Sequence, residues 1–203
     1  MINKDTKIYG SFSNNPGNNG CKFFNALFKS DGYNAIYKSF YSDDIKKSIS
    51  AALILGFSGF AVSIPFKSEI IQYLDEVDES VQEIGACNTV INKDGILIGY
   101  NTDWSGVYKY LQSFDIEDIT ILGNGGFSKA VQFACKKLGI SVKIITRTNW
   151  DTIKDVSNTI FNATPVDVVY ENLIDGRPHT AEGKMIANLQ AIEQYNLYEN
   201  ELS

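Results

Sequence analysis

Between Gly59 and Asp103 the chain gathers side chains able to bind a polar ligand and move a proton. The apolar run Phe60–Ile64 ends in Pro65, Phe66 and Lys67, which reads as a short buried strand followed by a proline in a helix's first turn. Ser63 and Lys67 then sit where the strand's C-terminal end opens into a crevice, the usual ligand position in an open α/β sheet. Two β-like runs follow, Asn88–Asn92 and Ile96–Asn101, joined by the hairpin signal Lys93-Asp94-Gly95. The second run delivers Asn101, Thr102 and Asp103 to the start of a helix, with Asp103 a candidate N-cap. One lysine, one aspartate, one asparagine and several hydroxyls thus lie on neighbouring strand ends. A lysine there can act as general acid or base when its pKa is near working pH; burial lowers that pKa and a nearby carboxylate raises it.

The elements that must hold these groups alternate between strand and helix. Lys7–Tyr9 reads as a strand, followed by the turn-rich stretch 10–20, whose Ser11 and Ser13 can offer hydroxyls to an anion. A helix over Lys22–Lys29 turns Phe23, Phe24, Leu27 and Phe28 inward, Asn34–Tyr41 is a strand, and Asp43-Asp44 opens a helix to about Leu55. A helix is expected over Pro65–Leu74 and another over Asp103–Phe114. Further on, the strand Ile119–Leu122 runs into Gly123-Asn124-Gly125-Gly126-Phe127 and a helix to Leu138. Strand, glycine loop and helix suit a dinucleotide pyrophosphate: the glycines admit the backbone and the helix N-terminus attracts negative charge. Ser141–Thr146 reads as a second strand ending in Thr146-Arg147-Thr148; an arginine there, with no acidic residue, favours a 2′-phosphate and hence NADP over NAD.

The order of these segments resembles the shikimate dehydrogenase family, which carries N-V-T-x-P-x-K, A-V-N-T and N-T-D segments spaced much as here, over about Ile8 to Tyr198. The resemblance implies an N-terminal α/β substrate domain with a mixed sheet and a Rossmann-type nucleotide domain. It implies reversible hydride transfer between NADP and a carbinol on a small carboxylated ring, shikimate to 3-dehydroshikimate. It assigns proton transfer to Lys67 with Asp103 as its partner. Ser11 and Ser13 take the substrate carboxylate, and Ser63, Asn88, Tyr170 and Gln190 the ring substituents. Gly123, Asn124, Gly125, Gly126, Phe127, Thr146, Arg147, Thr148, Asn162 and Thr164 take the cofactor. The chain departs from the pattern in three places: Ala61 replaces Asn, Ser63 replaces Thr and Cys87 replaces Val. Ser63 keeps the hydroxyl, whereas Ala61 removes a donor and an acceptor, so another hydroxylated acid such as quinate is the alternative substrate. Only 14 residues separate Arg147 from Asn162, and Pro165 runs directly into Val166–Tyr170, which resembles a later strand of the family. The nucleotide domain is therefore expected to be abbreviated, which motivates a third reading as a non-catalytic binding or assembly protein. The expected division is 1–102 for substrate and 103–181 for nucleotide, with a helix over Glu182–Tyr198 and the segment 182–203 packing back on the first domain.

Bulk composition agrees with an ordinary globular chain of 203 residues, 44% of them hydrophobic. A net charge of −6 argues against a nucleic-acid partner, and no apolar run approaches the length of a membrane span. Cys21, Cys87 and Cys135 show neither paired nor metal-like spacing, and His179 is the only histidine, so neither a metal site nor a histidine-based triad is expected. Scattered cysteines and an N-terminus without signal-peptide character lead to an expectation of a cytoplasmic protein. A monomer or homodimer is expected.

Overall fold

The computed structural model describes residues 2–202. The chain divides into two compact units, Met1–Asn101 with Gln194–Ser203, and Thr102–Glu193.

The first unit is built on a six-stranded mixed sheet of β1 (Lys7–Ser13), β2 (Ala35–Tyr41), β3 (Phe57–Val62), β4 (Glu76–Val77), β5 (Thr89–Lys93) and β6 (Ile96–Tyr100), in the order β2-β1-β3-β5-β6-β4. β1 pairs in parallel with both β2 and β3, while β5 runs antiparallel to β3 and β6. Helices α1 (Asn19–Ser30), α2 (Ile45–Ile54) and α3 (Glu79–Ile84) cover it. One core joins Phe12, Ile45, Ile49, Phe57, Phe60, Phe66, Ile70 and Val90. The β5–β6 hairpin turns at Asp94 and Gly95, both with positive φ, the geometry an Asp-Gly pair supplies. Asn25 ties α1 to the outer edge of β2: its side-chain oxygen accepts the Tyr37 N–H and its amide donates to the Tyr37 carbonyl, each at 2.8 Å.

The second unit has a four-stranded parallel sheet, in the order β10-β9-β7-β8, of β7 (Asp118–Leu122), β8 (Ser141–Ile145), β9 (Thr159–Asn162) and β10 (Leu173–Asp175). α4 (Asp103–Leu111), α5 (Gly126–Leu138) and α6 (Ala181–Glu199) complete the helices; a core of Val107, Leu111, Ile119, Ile121, Val131, Ala134, Phe161 and Ile186 joins this sheet to them. A second, smaller cluster of Leu122, Ile145 and Ile160 is covered by Trp150, Ile153, Val168 and Tyr170. Arg147–Asp155 is a 3-10 segment, so irregular chain does on this side what a helix does elsewhere.

Several expectations are corrected. β1 continues to Ser13, because its parallel pairing with β2 runs on to Ser13 opposite Tyr41; Ser11 and Ser13 are strand residues rather than loop residues. Residues 65–74 form a turn and a short 3-10 helix, Glu69–Tyr73. The Lys67 carbonyl, which an α-helix would give to residue 71, accepts the Cys87 N–H at 2.7 Å instead. Thr102, not Asp103, is the N-cap of α4, and that helix stops at Leu111. Val166–Tyr170 is not a strand: Asn162 folds the chain there by accepting from Thr164 N–H at 3.0 Å and donating to the Val166 carbonyl at 2.9 Å. The last strand is Leu173–Asp175 instead. Only 194–203 packs back on the first unit, where the whole of 182–203 was expected to do so. The earlier turns of α6 stay with α4, because Gly106 lets the two backbones meet; a Cβ there would lie 2.7 Å from the Ile186 carbonyl oxygen.

Candidate active site

In the first unit, main-chain hydrogen bonds bring four strand ends to one edge of the sheet. Ser63 N–H donates to the Phe12 carbonyl at 3.2 Å, Val62 N–H to Asn88 at 2.8 Å, and Asn88 N–H to Tyr100 at 3.0 Å. This chain of bonds sets Ser13, Ser63, Asn88 and Asn101 beside one another where the chain leaves β1 toward β2 and leaves β3 toward the opposite edge, the position at which open sheets bind ligands. Lys67 joins them through the bond from Cys87 N–H to its carbonyl. Ser63 is exposed, Lys67 half-buried, Asn88 and Ser13 buried. Asn88 receives the Thr89 hydroxyl at 2.9 Å, which orients its amide. Asn101 donates to the Ala86 carbonyl at 2.8 Å, so it holds the strand end. Burial pushes the Cys87 thiol up to about 12 and its Sγ–H faces the Thr89 carbonyl at 3.3 Å. It is a neutral packing group where the family has valine, and not a nucleophile.

In the second unit the glycine loop lies between β8 and β9. Gly123 has φ +98°, donates its N–H to the Ile145 carbonyl at 2.7 Å, and leaves no room for a side chain, since a Cβ would meet Thr164 Cγ2 at 2.9 Å. Ser128 Oγ donates back to the Gly123 carbonyl at 2.7 Å and fixes the turn. A Cβ on Gly125 or Gly126 would meet nothing within 4 Å, and Gly125 caps α5 without a side-chain bond. The opening turn of α5 thus offers N–H groups at an open surface, which fits a pyrophosphate. On one side Thr146 and Asn149 form a capping box, with Thr146 N–H donating to Asn149 at 2.7 Å, and Arg147 stands exposed just after β8. On the other side Asn162 and Thr164 are joined, hydroxyl to amide oxygen, at 2.7 Å. Asn124, Phe127 and Thr148 flank the same loop or strand end.

Three expected site residues belong to the second unit. Asp103 is the first residue of α4, and Gln190 is half-buried on α6, its Cβ 2.9 Å from where a Gly106 Cβ would lie. Tyr170 packs on the Leu122–Ile145–Ile160 cluster and its hydroxyl donates to the Ile153 carbonyl, so that hydroxyl holds the loop. Sequence reasoning missed Tyr37, which stands on β2 in register with Tyr9 and faces the Ser11 hydroxyl. Its signal was no more than an aromatic in an alternating strand. It also missed Arg177, whose Nε donates to Asp175 Oδ1 at 2.9 Å and whose Nη1 reaches Asp167.

Among the described residues no helix is long and apolar enough to cross a membrane, and no group of three or more histidine, cysteine or acidic side chains is placed to hold a metal ion.

The model of the shikimate dehydrogenase substrate-binding domain matches residues 20–90. The shikimate dehydrogenase-like protein of Haemophilus influenzae is 40% identical over 151 residues, covering 72% of this chain and 56% of its own. The NADP+ shikimate dehydrogenase of Aquifex aeolicus is 40% identical over 184 residues, covering 86% of this chain and 66% of its own. In sequence, then, the chain spans 56–66% of the length of these curated relatives. The solved structure of a shikimate 5-dehydrogenase-like protein superposes with a TM-score of 0.88 at 29% identity, covering 100% of this chain and 95% of that one. The solved Aquifex aeolicus shikimate dehydrogenase superposes with a TM-score of 0.79 at 30% identity, covering 98% and 95%. With these matches falling on both the strand-end cluster and the glycine-loop unit, the chain belongs to the shikimate dehydrogenase family.

Proposed function

We propose that this chain is an NADP-dependent oxidoreductase that interconverts shikimate and 3-dehydroshikimate. The observation that carries the reading is the stapled edge of the first sheet, where main-chain bonds bring Lys67, Ser63 and Asn88 together. NADP, when bound, would supply or accept the hydride. The open cradle of Gly125, Gly126 and the first turn of α5 would hold its pyrophosphate, and Arg147, with Thr146 and Thr148, its 2′-phosphate. Lys67 takes the hydroxyl proton during oxidation and returns it during reduction. Asp103 has the role of its carboxylate partner. Ser63, Asn88 and Gln190 hydrogen-bond the ring hydroxyls, and Ser11 and Ser13 the carboxylate. Tyr170 is withdrawn from the substrate set, since its hydroxyl is bonded to Ile153.

Ala61, in register with Ser11 and with Thr89, leaves an alanine methyl at a position of the sheet where the family has an amide. That favours quinate or another hydroxylated ring acid as the alternative substrate. The short connection from β9 to β10, residues 163–172, favours a second reading as a non-catalytic binding or assembly protein. Formation of NADPH with shikimate and quinate tests the first reading. Calorimetry with NADP and with 2′,5′-ADP tests the second: a chain that binds neither at millimolar concentration is not a dehydrogenase.

A further inference from the structure

Three polar side chains follow one another at every fourth position along the glycine loop and the helix it opens: Asn124 in the loop, Ser128 in the first turn of α5 and Gln132 one turn on. On a helix, residues four apart share a face, so Gln132 reaches back over Ser128 to the loop. Its Nε2 donates to Ser128 Oγ at 3.2 Å and to Asn124 Oδ1 at 3.2 Å. Gln132 is half-buried, Ser128 buried and Asn124 exposed. Ser128 fixes the turn, as described above; Gln132 has no such task in the site as built so far.

The direction of every bond in this chain is set at its far end. The Gly123 carbonyl can only accept, so the single hydroxyl hydrogen of Ser128 goes there, at 2.7 Å. Ser128 Oγ must then accept from its other neighbour, and the Gln132 atom beside it is the amide nitrogen. The second hydrogen of that nitrogen is left for Asn124, which must receive it on oxygen. With Oδ1 held in this way, the Asn124 amide turns its NH2 group away from Gln132, at an exposed position beside Gly125 and Gly126. A Cβ on either glycine would meet nothing within 4 Å, and α5 begins there with no side-chain cap and no acidic residue in its first turn.

The sense of the amide matters because a pyrophosphate carries acceptors only. An asparagine turned by 180° has almost the same shape but offers lone pairs in place of two hydrogens. Nothing in the Asn124 side chain itself decides between the two. We propose that Gln132 is a positioning residue for the cofactor: it holds the Asn124 amide in the one orientation in which its NH2 group donates to the pyrophosphate. This rests on the NADP-dependent reading above. Gln132 acts through Asn124, and the Gly123 carbonyl, by way of Ser128, fixes the sense of both amides.

The test measures NADP binding by calorimetry for Asn124→Ala, Gln132→Met, Gln132→Glu and the two double variants, with urea melts to establish that each is folded. Asn124→Ala should weaken NADP roughly tenfold, as for loss of a hydrogen bond to a charged group. Gln132→Met keeps the length of the side chain and frees the Asn124 amide. With two orientations of equal energy the competent one is about half populated, so NADP weakens about twofold. Gln132→Glu should cost more, roughly tenfold, because a carboxylate only accepts and draws the Asn124 NH2 group onto itself. In the Asn124→Ala background Gln132→Met should leave the Kd unchanged. There Gln132→Glu should keep only the part due to its charge acting on the phosphates through space, which added salt removes. An Asn124→Ala variant that binds NADP as wild type does overturns the proposal. So do losses from Gln132→Met and Gln132→Glu that are the same in both backgrounds, which would assign Gln132 to the turn through Ser128. A wild type that binds no NADP removes the dehydrogenase reading and this inference with it, whereas a wild type that binds NADP with additive losses removes only the role of Gln132.

Discussion

Main-chain bonds join the strand ends in both units, and the second unit adds more side-chain bonds to its loops. In the first, the edge is held by backbone: Ser63, Asn88 and Cys87 N–H groups reach across from one strand end to the next. Side chains such as Ser63 are left exposed at that edge. In the second, side chains hold the loops: Ser128 on Gly123, Thr146 and Asn149 on each other, Asn162 on Thr164 and Val166. What remains for a ligand there is backbone N–H at open glycines and the exposed Arg147 and Asn124. The difference matches the two proposed ligands. A polyol acid is told apart by side-chain hydrogen bonds of definite direction, whereas a pyrophosphate needs donors and positive potential more than it needs particular side chains.

The comparison can be broken most sharply at Lys67. If the first edge is held by main chain, Lys67→Ala removes chemistry without removing structure. Turnover should fall by roughly 10²–10⁴-fold with Tm close to that of wild type; a variant that keeps its turnover takes Lys67 out of the reaction. Next in size is Arg147→Ala, which should weaken NADP roughly tenfold or more, as loss of a charge-assisted bond does, and leave NAD as it was. Equal losses for both cofactors would contradict a 2′-phosphate contact.

Ser128→Ala sharpens the contrast from the other side. Here a side chain that touches no proposed ligand holds the loop, so about 1 kcal/mol of stability should go with it. NADP and NAD should weaken together, measured by calorimetry alongside urea melts. The smallest effect expected is on pH. Burial opposes the charge of Asp175, yet the hydrogen bonds from Arg177 prevail and hold its pKa below the ordinary value. The unfolded chain therefore binds the proton more readily, and this stabilisation is complete above about pH 4 and lost as pH falls through the folded-state value. In the first unit Asp78 is shifted the other way: burial raises its pKa despite the bonds from Ser80 and Val81. Its stabilisation is complete below about pH 4 and declines as pH rises through the folded-state value. Urea melts of Asp175→Asn and Asp78→Asn across the acidic range should flatten opposite slopes; slopes of the same sign would contradict this assignment.

What could be read from the sequence follows the range of the forces involved. The Asp94-Gly95 hairpin and the Gly123–Gly126 turn were legible because their φ requirements are local. The ending of the Lys67 segment was not, because the bond that takes its carbonyl comes from Cys87, 20 positions on. Val166–Tyr170 is rich in β-branched residues, but the Asn162 side chain turns the chain first, and Val169 is 94% exposed. Of the site, Lys67, Ser63 and the glycine loop were visible as motifs. The division of α6 between units depended on Gly106, whose role appears only when another helix lies against it.

The Asn25 clamp has a consequence for how the molecule meets its neighbours in solution. An outermost strand offers unpaired amides and carbonyls to any extended chain that comes by, and self-association by strand addition begins at such edges. On β2 the central pair is already bound by Asn25, and the Ser39 N–H two residues on is taken by the Cys21 sulfur at 3.3 Å. At the opposite edge, β4 has only two residues to offer. An asparagine and a cysteine of α1 therefore give the first sheet a closed border, which keeps a sheet so rich in phenylalanine and tyrosine from templating its own aggregation.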